Sequence, residues 1–139
     1  MGVVVDSSVF IARQRRRFDW HGWIASLGDA EIFVTAITLS ELLHGAHRAQ
    51  TDEQRESRLR FAAAMERDYR VLPFGTPEAR EHASLTSAMQ RAGVTAGAHD
   101  LLIAATARLH GHEVSTLNAT EFSRMPGVRV LDASPFRTA

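Results

Sequence analysis

The chain has 139 residues, 45% hydrophobic and 23% charged, which suits one ordinary core and excludes disorder as the default. Sixteen acidic residues balance sixteen basic ones, so a basic footprint for nucleic acid can arise only from local patches. Cysteine and lysine are both absent; this excludes disulfides, thiolate metal sites, P-loop lysines, Schiff bases and the lysine that receiver-type aspartate sites use.

In chain order, the β-branched run Gly2–Val5 predicts a buried strand. Helices are expected over Ser7–Gln14 and Trp20–Leu27, with the arginine run between them, then a strand over Glu31–Ala36. A helix over Thr38–Arg48 comes next, and a polar one over Asp52–Asp68 carries Leu59, Ala62, Ala63, Met65, Glu66 and Tyr69 as a mixed stripe. Val71–Phe74 reads as a third strand. Thr76-Pro77 then gives an N-cap and an N1 proline for a helix ending near Ala92.

The stretch "GAHDLLIAATARLHG" (residues 97–111) is apolar around its whole circumference and predicts a buried helix, with Asp100 in its first turn. Glu113–Thr116 is a fourth strand, Ala119–Ser123 a helical turn and Arg129–Leu131 a fifth strand. Strands separated by helices imply an α/β fold: a three-layer α/β/α sandwich with a mostly parallel central sheet of about five strands. Residues 1–139 are expected to form a single domain. No run is long enough for a membrane span and the N-terminus lacks a signal-peptide layout, so the expectation is a cytoplasmic protein without membrane contact.

In such a sheet a ligand site lies beyond the carboxyl ends of the strands. Asp6 directly follows the first strand, and Asn118 and Glu121 follow the fourth. Glu41 sits one turn into the helix after the second strand, and Asp100 opens the buried helix. Four hard carboxylates at one edge suit one or two Mg²⁺ or Mn²⁺ ions, which would let neighbouring acids stay ionised. Each acid also has a plainer reading. Thr38 with Glu41, and Asn118 with Glu121, have capping-box spacing, and Asp6 can cap the first helix. Asp100 has the weakest such alternative, because the rest of its helix is apolar.

"VVVDSSVFI", "TLSELLHGA", "GAHDLLIAATARLHG" and "STLNATEF" together resemble the PIN domain, and within it VapC, the ribonuclease toxin of bacterial VapBC toxin–antitoxin pairs. The resemblance runs over nearly the whole chain. It implies that Asp6, Glu41 and Asp100 hold Mg²⁺ or Mn²⁺, with Thr116, Asn118, Glu121 and Phe122 matching the last motif. Glutamate at 121 replaces the usual aspartate, which leaves direct and water-mediated metal contact both open. Ser8 matches a hydroxyl residue that orients the acids. The resemblance further implies a metal-dependent endoribonuclease acting on RNA, a VapB-like antitoxin, and a homodimer through the helices of Asp52–Asp68 and Glu78–Ala92.

Arg13, Arg15, Arg16 and Arg17 stand beside Phe18, Trp20 and Trp23. They can contact RNA phosphates and bases, or form a solvated loop before a helix whose tryptophans pack inward. By the resemblance, Trp20 and Trp23 can instead line the groove that holds the antitoxin. His99 adjoins Asp100 and can tune the site, contact RNA or remain a surface residue. The pairs His44/His47 and His110/His112 lack an obvious third ligand for zinc. The competing function is a PIN-like module that binds RNA or protein without cutting; a phosphatase or phosphorelay role lacks the second acid two residues after Asp6.

Overall fold

The computed structural model describes residues 2–139. Gly2–Val5 forms β1, buried throughout; Val3 and Val5 enter one core and Val4 the other, as befits a strand covered on both faces. There follow α1 (Ser7–Gln14), α2 (Trp20–Ser26), β2 (Glu31–Thr35), α3 (Ala36–His47), α4 (Asp52–Asp68) and β3 (Arg70–Leu72). The second half contributes α5 (Thr76–Arg91), α6 (Ala98–His110), β4 (Glu113–Thr116), α7 (Ala119–Ser123) and β5 (Val130–Asp132), then a single 3-10 turn at Ser134–Phe136.

The strands form one sheet of order β3-β2-β1-β4-β5, and every pairing is parallel. One layer packs Phe10, Trp23, Leu42 and Met65 of α1–α4 against Val3, Val5 and Val34. The opposite layer packs Leu85, Met89, Ile103 and Phe122 of α5–α7 against Val4, Phe33 and Val114. The α/β/α sandwich expected from the element order is therefore present, with the sheet parallel throughout. Among the described residues no helix is long and apolar enough to cross a membrane.

Several boundaries differ from expectation for identifiable reasons. β3 stops at Leu72 because Pro73 has no N–H with which to extend the ladder. Thr76 is the first residue of α5 and not its cap; Gly75 holds the cap position, and Glu78 Oε1 reaches back to accept its N–H at 2.9 Å. On α4 the side chains Ala63 and Glu66 are exposed, leaving a narrow seam of Ala62 and Met65 on the core. α6 is buried from Ile103 to Ala107, and the hydroxyl of Thr106 in that run is satisfied by the Leu102 carbonyl at 2.9 Å. Gly111 closes the helix in a left-handed conformation (φ 72°) that glycine adopts without strain.

Strand order departs from β1 in both directions, to β2 on one side and β4 on the other. The crevice beyond the carboxyl ends of β1 and β4 is thus the switch point where open parallel sheets place ligands.

Candidate active site

Val5 of β1 pairs with Ser115 of β4. One residue further on, the ladder delivers Asp6 and Thr116 side by side into that crevice. The Asp6 N–H still bonds the Ser115 carbonyl at 2.9 Å. Asp6 is only 3% exposed. It occupies the cap position of α1 yet makes no side-chain cap, so the capping reading fails. Its Oδ2 instead accepts the hydroxyls of Ser8 at 2.7 Å and Thr116 at 2.9 Å. Both hydroxyls are themselves fixed, accepting the N–H groups of Leu117 at 3.1 Å and Asn118 at 2.9 Å. Asp6 Oδ1 is buried with no partner among the described residues.

Glu41 lies in the second turn of α3, because that helix starts earlier than expected. Thr35 is its cap and accepts the Thr38 N–H at 3.0 Å, so Thr38 and Glu41 do not form a capping box. Glu41 Oε1 is likewise buried without a partner among the described residues, and Oε2 lies 3.5 Å from His99 Nδ1.

Asp100 is the third residue of α6 and Glu121 the third of α7. The second proposed capping box also fails: Asn118 makes no side-chain cap, and its Nδ2 donates to Glu121 Oε2 at 2.6 Å. Glu121 Oε1 accepts the Gly97 N–H at 2.7 Å, tying α7 to the start of α6. Gly97 is a site residue that sequence reasoning missed. Its backbone (φ −60°, ψ 143°) suits any residue, but a Cβ there would come within 3.2 Å of Asp100 Oδ2. Nothing in the sequence marked it, since its value is the space it leaves beside Asp100.

Burial, a hydrogen bond with Glu121 and the charges of Asp6, Glu121 and Glu41 push the Asp100 carboxyl up to about 8. The same hydrogen bond, with help from Gly97 N–H, holds Glu121 below its usual value. Asp100 and Glu121 thus titrate as a pair pushed in opposite directions, with Arg124 acting on Glu121 and His99 beside Glu41 as the nearby basic groups. Two buried carboxylate oxygens without partners among the described residues, clustered with the Asp100 and Glu121 carboxyls, fit a divalent cation held by oxygen donors. Among the described residues no group of three or more His, Asp or Glu side chains is placed to hold a metal ion as the structure stands.

The surrounding cations divide. Arg13, grouped with the RNA-contacting arginines on sequence, turns inward instead: its Cζ lies 3.9 Å over the Trp20 ring and its Nη1 3.7 Å from Met65 Sδ. Apolar aromatic surface next to α1 draws in its stem and guanidinium together. Arg15, Arg16 and Arg17 are exposed, and Arg16 takes a left-handed turn (φ 57°). Arg15 and Arg17 line a groove that reaches Ser8. Trp23 is buried, donating Nε1–H to Ser115 Oγ at 3.2 Å, and Trp20 packs on it with centroids 4.9 Å apart. The tryptophans thus pack inward. His110 pairs with Glu78 at 2.9 Å, while His112 accepts the Gly2 N–H and stacks on Phe33.

Residues 3–128 match the PIN domain family. The chain is 35% identical to ribonuclease VapC1 of Rickettsia felis over 134 residues, covering 96% of this chain and 98% of that protein. It is 36% identical to ribonuclease VapC of Rickettsia bellii over 131 residues, covering 94% and 96%. In structure it resembles a chain of the DNA-bound VapBC complex of Salmonella typhimurium, with TM-score 0.85, 26% identity and coverage of 95% and 98%. The strand order, the switch-point crevice and these likenesses over nearly the full length lead to one assignment: the chain belongs to the PIN-domain family, among its VapC ribonucleases.

Proposed function

We propose that this chain is a Mg²⁺- or Mn²⁺-dependent endoribonuclease toxin whose activity a VapB-like antitoxin restrains. The observation that carries the reading is the pair of buried oxygens, Asp6 Oδ1 and Glu41 Oε1, that have no partner among the described residues and share one cluster with Asp100. Support for RNA as substrate comes from the ribonuclease names of the relatives, and support for the antitoxin from the VapBC complexes.

Asp6, Glu41 and Asp100 are the residues that would hold the ion, with Glu121 in direct or water-mediated reach. A divalent ion bound there supplies the positive charge that an attacking water and a departing RNA oxygen both require. Ser8 and Thr116 orient Asp6 by donating to Oδ2, which leaves Oδ1 as its free face. Asn118 and the Gly97 N–H hold Glu121 against Asp100 in the same way. Asp100 and Glu121, as carboxylates, would be placed to accept a proton from water at that site. The same family reading carries a homodimer through α4 and α5, which light scattering checks.

The test is incubation of the purified protein with single-stranded and structured RNA in Mn²⁺ or in EDTA. Cutting that requires the ion supports the reading; tight RNA binding without products contradicts it. Sequencing the 5′ ends of fragments made during brief expression in cells identifies the RNA.

A further inference from the structure

Glu41 borders a second feature that its role in the acid cluster does not explain. Beyond it, between α1, α3 and α4, opens a cleft of two adjoining lobes of about 390 Å³ each, each within the range of small-molecule sites. Arg15, Arg58 and Glu41 line both lobes, Arg48 lines one with His44 and His99, and Glu53 lines the other. Among the described residues none of these three arginines has a carboxylate partner, although Arg55, Arg60, Arg67 and Arg108 all do. Arg58 is nevertheless held in place, its Nη1 donating to the Gly45 carbonyl at 3.1 Å. A guanidinium held by one carbonyl keeps further N–H donors free for an anion.

Gly45 adds an independent observation. It sits inside α3, where glycine costs about 1 kcal/mol relative to alanine. Its backbone needs no positive φ, and an added Cβ would meet nothing within 4 Å. Neither turn nor packing calls for glycine there. Its place is on the lining of the cleft, which a side chain would narrow.

We propose that this cleft holds an RNA phosphate flanking the one cut at the acids, with Arg58, Arg15 and Arg48 as its cationic wall and Gly45 as its open floor. The assignment rests on the ribonuclease reading above. A strand whose scissile phosphate lies at Asp6 and Glu41 must carry its next phosphates out over the adjoining surface, and Glu41 is shared between the two sites. Guanidinium forks on phosphate fix the register of the strand without reading its bases.

The experiment measures kcat, KM and salt dependence for a labelled single-stranded RNA in Mn²⁺, comparing wild type with Arg58→Gln and Gly45→Leu. For both variants KM should rise about 5- to 10-fold while kcat stays within about twofold. Arg58→Gln should also flatten the salt slope of kcat/KM by about 0.7, the loss of one phosphate contact on single-stranded nucleic acid. The melting temperature of Gly45→Leu should not fall, which separates blockage from misfolding. Wild-type kinetics in both variants overturn the inference and leave the ribonuclease reading standing. Variants that cut RNA normally yet lose a polyglutamate peptide that wild type binds assign the cleft to an acidic protein segment and also overturn it. A wild-type protein that never cuts RNA removes the reading and the inference together.

Discussion

Thr116 Oγ1 donates to Asp6 Oδ2 at 2.9 Å across 110 residues of sequence. The bond exists because parallel β1 and β4 end in register, and the same hydroxyl also accepts the Asn118 N–H. Thr116→Val should therefore leave the sheet in place and let Asp6 turn. Its kcat for RNA cleavage should fall about 10- to 100-fold with KM unchanged, while Thr116→Ser keeps most of the activity. A Thr116→Val enzyme at the wild-type rate would mean that Asp6 is held some other way.

Asp100 predicts a pH effect on the metal-free protein. Its carboxyl stands at about 8 in the fold against an ordinary 3.8, so its protonated form stabilises the native state. That contribution is complete below about 4 and is lost as pH rises through about 8. Asparagine reproduces the donor that protonated Asp100 offers to Glu121. In EDTA at pH 8 to 9, Asp100→Asn should melt about 2–8 °C above wild type, and the gap should close toward pH 4. Equal melting curves at every pH would show that Asp100 is not strained by its neighbours.

Glu78 titrates in the opposite sense and far from the acids. Only 4% exposed, it accepts the Gly75 N–H and pairs with His110. The Gly75 bond outweighs burial and, with His110, holds its carboxyl below the usual 4.5. Its stabilising effect is present above 4.5 and lost as pH falls through the lower folded value. Glu78→Gln should melt about 2–5 °C below wild type at pH 7, with the difference shrinking in acid and RNA cleavage unaffected. A pH-independent difference would remove the charge from this account.

Arg13 separates packing from binding. Seated over Trp20, it should contribute about 0.5–2 kcal/mol to stability and nothing to RNA affinity. Arg13→Gln should lower the melting temperature and leave KM for RNA unchanged. A raised KM at unchanged stability would return Arg13 to the RNA surface.

Most of the architecture was legible in the order of elements, since valine runs buried on both faces between helices admit few arrangements. The acids were legible for a related reason: Asp6 and Glu121 closely follow strands, and Asp100 is the one charge in the first two turns of an apolar helix. Helix starts were harder. Both Thr35 and Thr38 are capping residues by type, and only the packing of β2 decides that the chain turns helical at Ala36. Arg13 looked like its neighbours because its partners, Trp20 and Met65, are distant in sequence. Gly97 and Gly45 carry no side-chain chemistry; their value lies in space beside other residues, which appears only once the fold is built.

Asp6 Oδ1 has no partner among the described residues, and the most direct measurement compares wild type with Asp6→Asn. Asparagine keeps an oxygen for the Ser8 and Thr116 hydroxyls, so the fold should persist with a similar melting temperature. Wild type should cut RNA in Mn²⁺ and stop in EDTA, and calorimetry should show Mn²⁺ binding; Asp6→Asn should lose both binding and cleavage. Full Mn²⁺-dependent cleavage by a folded Asp6→Asn protein would contradict the central claim.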